Sequence, residues 1–410
     1  SKRRLAMLDE HRPPEMLRSA LEDVCLHAKL VMARIGQQEE SLMDFLHRAP
    51  DPPEDRSVRN GERLLQEIGA LTKPDAKELP SGLTAMGVHL CSLPLSPQLA
   101  KTVIWANLLG VADATTTIVS ALQYREPFTS LATGEGGMSL AEANQAVRWA
   151  KWQLSPEGSD HLALLAANQG FEAARSKGGD AARRFCEDNC LSFRLMQNLH
   201  QTSSKLQSEL RRRSLWCDGA DRNGSASSLV MSAVCAGLFP NLAFRPTKGK
   251  LKVNQGRLEA LPHPSSVASL SQGKDIWDSD GVSVAEAGDE WLCFNELSQV
   301  EEYYSLSGVS PARSSALLLL CGEGELQVRS VDGHGSHGKS QQTEEEDLPV
   351  VSDAAISRWW SLQLGENYEE TGDEVAVSLS ELDRWVEFRM HRETARRIQG
   401  LREMLRLLFR

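Results

Sequence analysis

The sequence predicts an α+β multidomain chain, helical first and β-rich later, on three observations. Apolar residues recur at helical spacing as far as Phe239, and short alternating runs replace them after Pro240. A strongly acidic stretch then sets the last strand and helix apart. The 410 residues are enough for two or three domains with well-buried cores. A hydrophobic content of 41% and a charged content of 25% are those of an ordinary globular protein.

The longest apolar stretch, Leu229 to Phe239, falls far short of the ~20 residues a membrane-spanning helix needs, so no membrane partner is expected. The eight cysteines are scattered, mostly inside apolar runs. That placement predicts buried free thiols in a reducing, intracellular compartment, with nothing to choose between nucleus and cytoplasm. The net charge is −11, but Gly333 to Glu374 alone carries −8. The rest of the chain is close to neutral, and binding depends on the local field, so a nucleic-acid partner is not excluded.

The elements follow in order. Pro14 is placed as a first-turn proline, and Leu17, Leu21, Val24, Ala28 and Val31 continue at helical spacing. Arg56 to Leu71 predicts a second helix ending near Gly69, and the Lys, Pro, Asp, Gly and Ser between Leu71 and Leu83 predict a hairpin. Helix, helix and hairpin together predict a winged helix. Ser96-Pro97 caps a helix that ends near Gly110, and Ser139-Leu140-Ala141-Glu142 is a capping box. Ser159-Asp160 precedes another helix. Ser192 opens a long one with the stripe Leu195, Leu199, Leu206 and Leu210, and Ser227 to Leu238 forms one more, stopped by Pro240.

Beyond Pro240, Leu242-Ala243-Phe244, Leu251-Lys252-Val253, Trp291 to Phe294 and Gln327-Val328 read as short strands of a small β-barrel. A helix from about Pro311 to Leu320 interrupts them. Gly333 to Glu374 reads as a largely disordered acidic insertion, followed by a strand from Trp385 to Met390 and a helix from Arg392 to Phe409.

The residues that invite chemistry each have a plainer alternative. Arg245, Lys248, Lys250, Lys252 and Arg257 form a basic run against the single acid Glu259. On a barrel such a run can track the phosphates of a single strand, or it can be a solvated hairpin tip. His263-Pro264-Ser265-Ser266-Val267 places a ring, two hydroxyls and free amides in one tight loop, suited to phosphate oxygens and ribose hydroxyls or simply to a capped proline turn. Ser159-Asp160-His161 contains the residue types of a catalytic triad, but consecutive residues diverge on a helix, so helix capping is expected. Gly333 to Gly338 fits G-x-G-x-x-G but leads into a polar, acidic run instead of an apolar helix, so no dinucleotide site is expected. His334 and His337 lack a cysteine or carboxylate set with ligand spacing, so no metal is expected.

Five segments in order resemble the C-terminal accessory region of DEAH/RHA-type RNA helicases: Pro14-Glu15-Met16-Leu17-Arg18; Leu83 to Gly87 with Leu93 to Lys101; Gly158 to Leu165 with Arg184-Phe185-Cys186-Glu187; Gly237 to Leu242; and His263 to Val267. The resemblance implies the tail of a second RecA-like motor domain over 1–12, a winged helix over 13–95 and a helicase-associated (HA2, ratchet) helical array over 96–224. An OB-fold with its preceding helix over 225–332, the acidic insertion over 333–374 and the last strand and helix over 375–410 complete it. The implied activity of an intact protein is ATP-dependent 3′-to-5′ RNA unwinding or RNP remodelling. The implied partners are single-stranded RNA, the RecA-like motor domains and a G-patch-type activator on the winged helix. The resemblance also implies RNA contacts at His263, Ser265 and Ser266, and it strengthens the same reading of the basic run.

The sequence has no G-x-x-x-x-G-K-[ST] phosphate loop, no Asp-Glu-Ala-His box and no Gln-Arg-x-Gly-Arg run. By itself the chain is therefore expected to have no ATPase activity and no cofactor, ATP and magnesium being implied only for the motor domains. It reads as a fragment; a stand-alone, non-enzymatic RNA-binding or adaptor protein is the alternative expectation.

Overall fold

A computed structural model of the chain describes residues 14–18, 20–73, 80–129, 139–155, 157–246, 249–272, 290–300, 302–322, 326–330, 350–351, 374–379, 385 and 387–407. They form two compact units divided between Ala100 and Lys101, within helix α5 (Pro97–Leu109, numbered in chain order).

The first unit contains α1 (Glu22–Ile35), α2 (Leu42–Leu46), α3 (Asp55–Glu67) and α4 (Ala85–Cys91). Pro14 does not open the long helix. It begins a single 3-10 turn, Glu15–Leu17, in which Leu17 N donates to Pro14 O at 3.0 Å. The long helix starts instead where Glu22 and Asp23 place negative charge on the first-turn amides. Cys25, Leu26, Met32, Val58, Leu65 and Leu90 fill the core, and burial pushes the Cys25 thiol up to about 12.

Leu71 and Leu83 pair as an antiparallel bridge, with 74–79 outside the described residues. Thr84 Oγ1 accepts from Gly87 N at 2.9 Å to cap α4 and donates to Gly69 O at 2.7 Å. Gly87 is required for this packing, because a Cβ there would sit 2.2 Å from Ala70 O.

The second unit opens with helices: the rest of α5, then α6 (Ala112–Tyr124), α7 (Leu140–Leu154), α8 (Asp160–Arg175), α9 (Gly179–Asp188), α10 (Phe193–Arg212) and α11 (Ser227–Leu238). The Ser139–Glu142 capping box forms in full, and Ser159 and Ser192 each accept from a backbone N–H at their helix starts. The buried stripe of α10 is Met196, Leu199, Ser203, Leu206 and Leu210, so Met196 takes the position expected of Leu195. Its spacing alternates strictly between three and four residues, which keeps one face on the core. Phe171, fully buried, meets Phe193 edge-on at 5.9 Å, centring a core that also holds Val147, Leu164, Cys186 and Leu191. Cys190 lies beyond the end of α9 with φ 54°.

After α11 come β1 (Leu242–Arg245), β2 (Leu251–Val253), β3 (Leu258–Pro262), a 3-10 helix (Val267–Gln272), β4 (Glu290–Val300) and β5 (Tyr303–Pro311). These five strands close into a barrel in the order β1-β2-β3-β5-β4. β1 pairs antiparallel with β4, and β3 and β5 run parallel, Ala260 beside Tyr304. Ala243, Leu251, Val253, Ala260, Leu292, Leu306 and Val309 fill the interior.

Three expectations change here. Pro311 ends a strand, and α12 begins only at Ser314 (Ser314–Leu320). The strand at Gln327-Val328 leaves the barrel: β6 (Leu326–Ser330) joins β7 (Val350–Val351), β8 (Glu374–Leu379) and β9 (Glu387–His391) in a separate sheet of order β6-β8-β9-β7. Within the expected disordered insertion, Val350 and Val351 pair in parallel with Glu387 and Phe388, and Glu374 begins β8. The rest of 333–374, including the glycine-rich run, His334 and His337, lies outside the described residues.

Helix α13 (Arg392–Leu407) follows the sheet. Its buried Arg402 donates to Leu318 O and Gly322 O, both at 2.8 Å, where α12 ends. Trp385 stacks edge-on against Trp291 of β4 at 4.9 Å.

Candidate nucleic-acid interface

The basic run lies on the barrel. On β2, Leu251 and Val253 point inward, so period-two alternation turns Lys252 outward, opposite Glu259 of β3. Lys250 Nζ lies 3.2 Å from Glu259 Oε2, and both side chains are exposed. The turn from Asn254 to Gly256 has φ between 51° and 80° at three successive residues, and it leaves the following Arg257 exposed. Lys248 lies outside the described residues.

Arg245 departs from this surface. All four residues of β1 are buried; Arg245 is 9% exposed, and its guanidinium donates to Glu290 Oε2 at 3.0 Å and Ala268 O at 3.1 Å. Burial lowers its pKa, opposed by the Glu290 carboxylate. Arg245 thus ties β1 to β4 and to the 3-10 helix and has no free face for a phosphate.

The loop after β3 begins where His263 N donates to Leu306 O at 2.8 Å. It closes on itself: Ser266 N donates to His263 O at 2.8 Å and Ser265 N to His263 Nδ1 at 3.2 Å, while Ser265 Oγ lies 2.7 Å from Nδ1. His263 is exposed and Ser265 half-buried. Partial burial and then the Lys151 ammonium lower the His263 pKa.

Ser266 faces the other way. It is 1% exposed, and its hydroxyl donates to Asp160 Oδ2 at 2.6 Å. The expectation of a nucleic-acid contact through this hydroxyl is corrected: Ser266 supports the loop from behind.

Asp160 does more than its place at a helix start suggests. Ser159 supplies the helix cap, accepting from Leu162 N at 3.0 Å, which frees the Asp160 carboxylate to reach the barrel. Besides Ser266, Val267 N donates to Oδ1 at 3.0 Å and Val309 N to Oδ2 at 2.9 Å. Lys151 Nζ stands 3.6 Å from Oδ1, pairs with Glu126 and lies 5.2 Å from the centre of the Phe128 ring. Burial alone would push the Asp160 carboxyl up; Lys151 and the hydrogen bonds outweigh it and hold the group ionised. Lys151 is held charged in the same way, its burial outweighed by Asp160 and Glu126. A carboxylate immediately after a capping serine, with no capping work left to do, was the available signal.

Ser159, Asp160 and His161 are all at most 1% exposed. His161 Nδ1 lies 2.6 Å from Ser310 Oγ, and its Nε2 has no hydrogen-bond partner. Burial lowers the ring's pKa to about 4. The group is a buried joint between α8 and β5, and Asp160 does not contact the His161 ring through a hydrogen bond, so no triad is assembled. Among the described residues, no group of three or more His, Cys, Asp or Glu is arranged to hold a metal, and no helix is long and apolar enough to cross a membrane.

In the second unit, α8 of the helical array grips the five-stranded barrel through a buried carboxylate. The family profile described as helicase associated domain (HA2), ratchet-like, matches residues 96–164, from the start of α5 through Asp160. The chain is also similar to the ATP-dependent DNA/RNA helicase DHX36 of Rattus norvegicus, 29% identical over 62% of this chain and 23% of that protein. Two Arabidopsis thaliana proteins match as well. The DExH-box ATP-dependent RNA helicase DExH1 is 31% identical over 59% of this chain and 22% of the relative, and DExH6 is 27% identical over 79% and 23%. The chain is homologous to DEAH-box RNA helicases over their C-terminal-type region and carries the ratchet-like domain of that region. It spans less than a quarter of the length of these relatives.

Proposed function

We propose that this chain is the RNA-gripping accessory region of an ATP-dependent DEAH/RHA-type RNA helicase. In this reading the first unit is a winged helix, consistent with its helices and the Leu71–Leu83 pairing. The barrel is an OB-fold, consistent with its closed five-stranded order and parallel β3–β5 contact. One observation carries the reading: the helicase-associated match extends to Asp160, which holds the loop presenting His263 and Ser265.

Lys248, Lys250, Lys252 and Arg257 track the phosphates of a single strand, and His263 and Ser265 contact its sugar–phosphate backbone. The intact protein unwinds RNA or remodels RNPs in the 3′-to-5′ direction. ATP and magnesium act in RecA-like motor domains that move against this wall, and a G-patch-type activator docks on the winged helix. The accessory region supplies grip and geometry; the phosphoryl chemistry belongs to the motor.

The test is fluorescence anisotropy of the chain with a labelled single-stranded oligouridylate across a salt series. Lys250→Glu with Lys252→Glu is expected to weaken binding about tenfold and to flatten the log–log salt slope by roughly 0.7 per lost phosphate contact. An unchanged affinity and slope would remove this face from the interface. Strong RNA binding without an in-frame motor upstream in the transcript would favour the adaptor reading.

A further inference from the structure

We propose that Asp160 is a positioning residue for the 263–267 loop, holding His263 and Ser265 in one preformed arrangement against the barrel. The affinity part of this proposal rests on the RNA reading above; the ordering of the loop does not.

Three donors converge on two oxygens: Val267 N on Oδ1, and Ser266 Oγ and Val309 N on Oδ2. An ionised carboxylate accepts at both oxygens, whereas an asparagine amide turns one of them into a donor. The three donors come from the two sides of the loop's seat, since Ser266 and Val267 belong to the loop and Val309 to β5. β5 also anchors the loop's first residue, through Leu306 O and His263 N. One side chain from α8 therefore fastens both the loop's far end and the strand on which its near end rests.

Within the loop, the turn transmits that hold. Ser266 N donates to His263 O, and Ser265 N to His263 Nδ1, so fixing Ser266 fixes the ring and the Ser265 hydroxyl beside it. A second fastening lies on the outer side, where Arg148 of α7 donates to Ser269 Oγ at 3.1 Å. Lys151 and Glu126 lie behind Asp160 and balance its charge, which makes the buried carboxylate tolerable. A preformed loop binds more tightly than one that must be ordered on contact.

The experiment compares the full 410-residue chain with Asp160→Asn, His263→Ala with Ser265→Ala, and all three changes together. Amide hydrogen exchange and single-stranded RNA affinity are the readouts, with circular dichroism checking the fold. Asp160→Asn is expected to speed exchange at Val267 and Val309 at least tenfold and to weaken RNA binding about tenfold. In that background His263→Ala with Ser265→Ala is expected to add almost nothing, a non-additivity that a general loss of stability would not produce.

A folded Asp160→Asn chain with unchanged exchange overturns the proposal, as does one that binds RNA normally while the loop double variant binds weakly. If Asp160→Asn does not fold, Ser266→Ala, which removes one donor of the three, carries the same readouts, and no change in either overturns the proposal. A wild-type chain that does not bind RNA overturns the RNA reading and the affinity part with it. The exchange result then still decides whether Asp160 orders the loop.

Discussion

Ser266 Oγ donates a 2.6 Å hydrogen bond to Asp160 Oδ2 across 106 residues of sequence, and both residues are 1% exposed. The bond joins the start of α8 to the loop after β3. It makes two adjacent serines unequal: Ser265 lies beside the exposed His263 ring, while Ser266 belongs to the interior.

Ser266→Ala removes one of the donors to a buried carboxylate and is expected to destabilise the second unit by about 1–3 kcal/mol. Ser265→Ala is expected to change stability by less than about 0.5 kcal/mol. Urea denaturation of the two variants side by side checks the contrast. Equal losses would mean that the serines share one environment.

His161 makes the fold sensitive to mild acid. Its pKa falls from an ordinary 6.5 to about 4 because the ring is buried. Above pH 6.5 the ring is neutral in both folded and unfolded chains. As pH falls from 6.5 to 4, the unfolded chain takes up a proton that the folded chain refuses, and stability drops by about 3 kcal/mol in total. His263, also shifted down, acts in the same direction. Stability measured across this range is expected to decline less steeply in His161→Asn than in the wild type; parallel curves would show that His161 is not the source.

Gly237→Ala is expected to destabilise the second unit by at least about 1–3 kcal/mol. A Cβ at Gly237 would lie 1.9 Å from Thr102 Oγ1 and 2.5 Å from Thr102 Cα, so side-chain rotation alone cannot relieve the clash. A melting temperature equal to that of the wild type would show that α5 and α11 part without cost.

Arg402→Met keeps most of the buried volume but leaves Leu318 O and Gly322 O without the guanidinium donors. A loss of about 2–4 kcal/mol is expected, and proteolysis should reach α13 first. Wild-type resistance to protease would place the anchoring of α13 elsewhere, in its apolar contacts.

Much of the helical half was legible because its signals are local. Ser139 and Glu142 cap one helix between them, Ser192 caps another, and Pro240 stops α11, each needing only neighbours a few residues away. The barrel was harder. β3 and β5 escaped the alternation test because their inward and outward faces are not cleanly apolar and polar: Ser305 and Ser310 of β5 are buried. Ser310 is accommodated by Ser159 and His161 of α8, partners no window of neighbouring residues contains. The same reason explains Arg245, which looks like a surface base by residue type and is buried because Glu290 and Ala268 meet it.

Most helix caps, the change of period at Pro240 and the order of the motifs were legible from neighbouring residues, because caps, breakers and periodicity act over a single turn or strand; the starts of α1 and α12 were not. Which polar side chains face water depends instead on contacts between segments distant in the chain. Burying a charge costs several kcal/mol unless partners meet it, and those of Asp160 come from α7, the loop after β3 and β5. Their convergence turned an apparent helix cap into the fastening between the ratchet-like helices and the barrel.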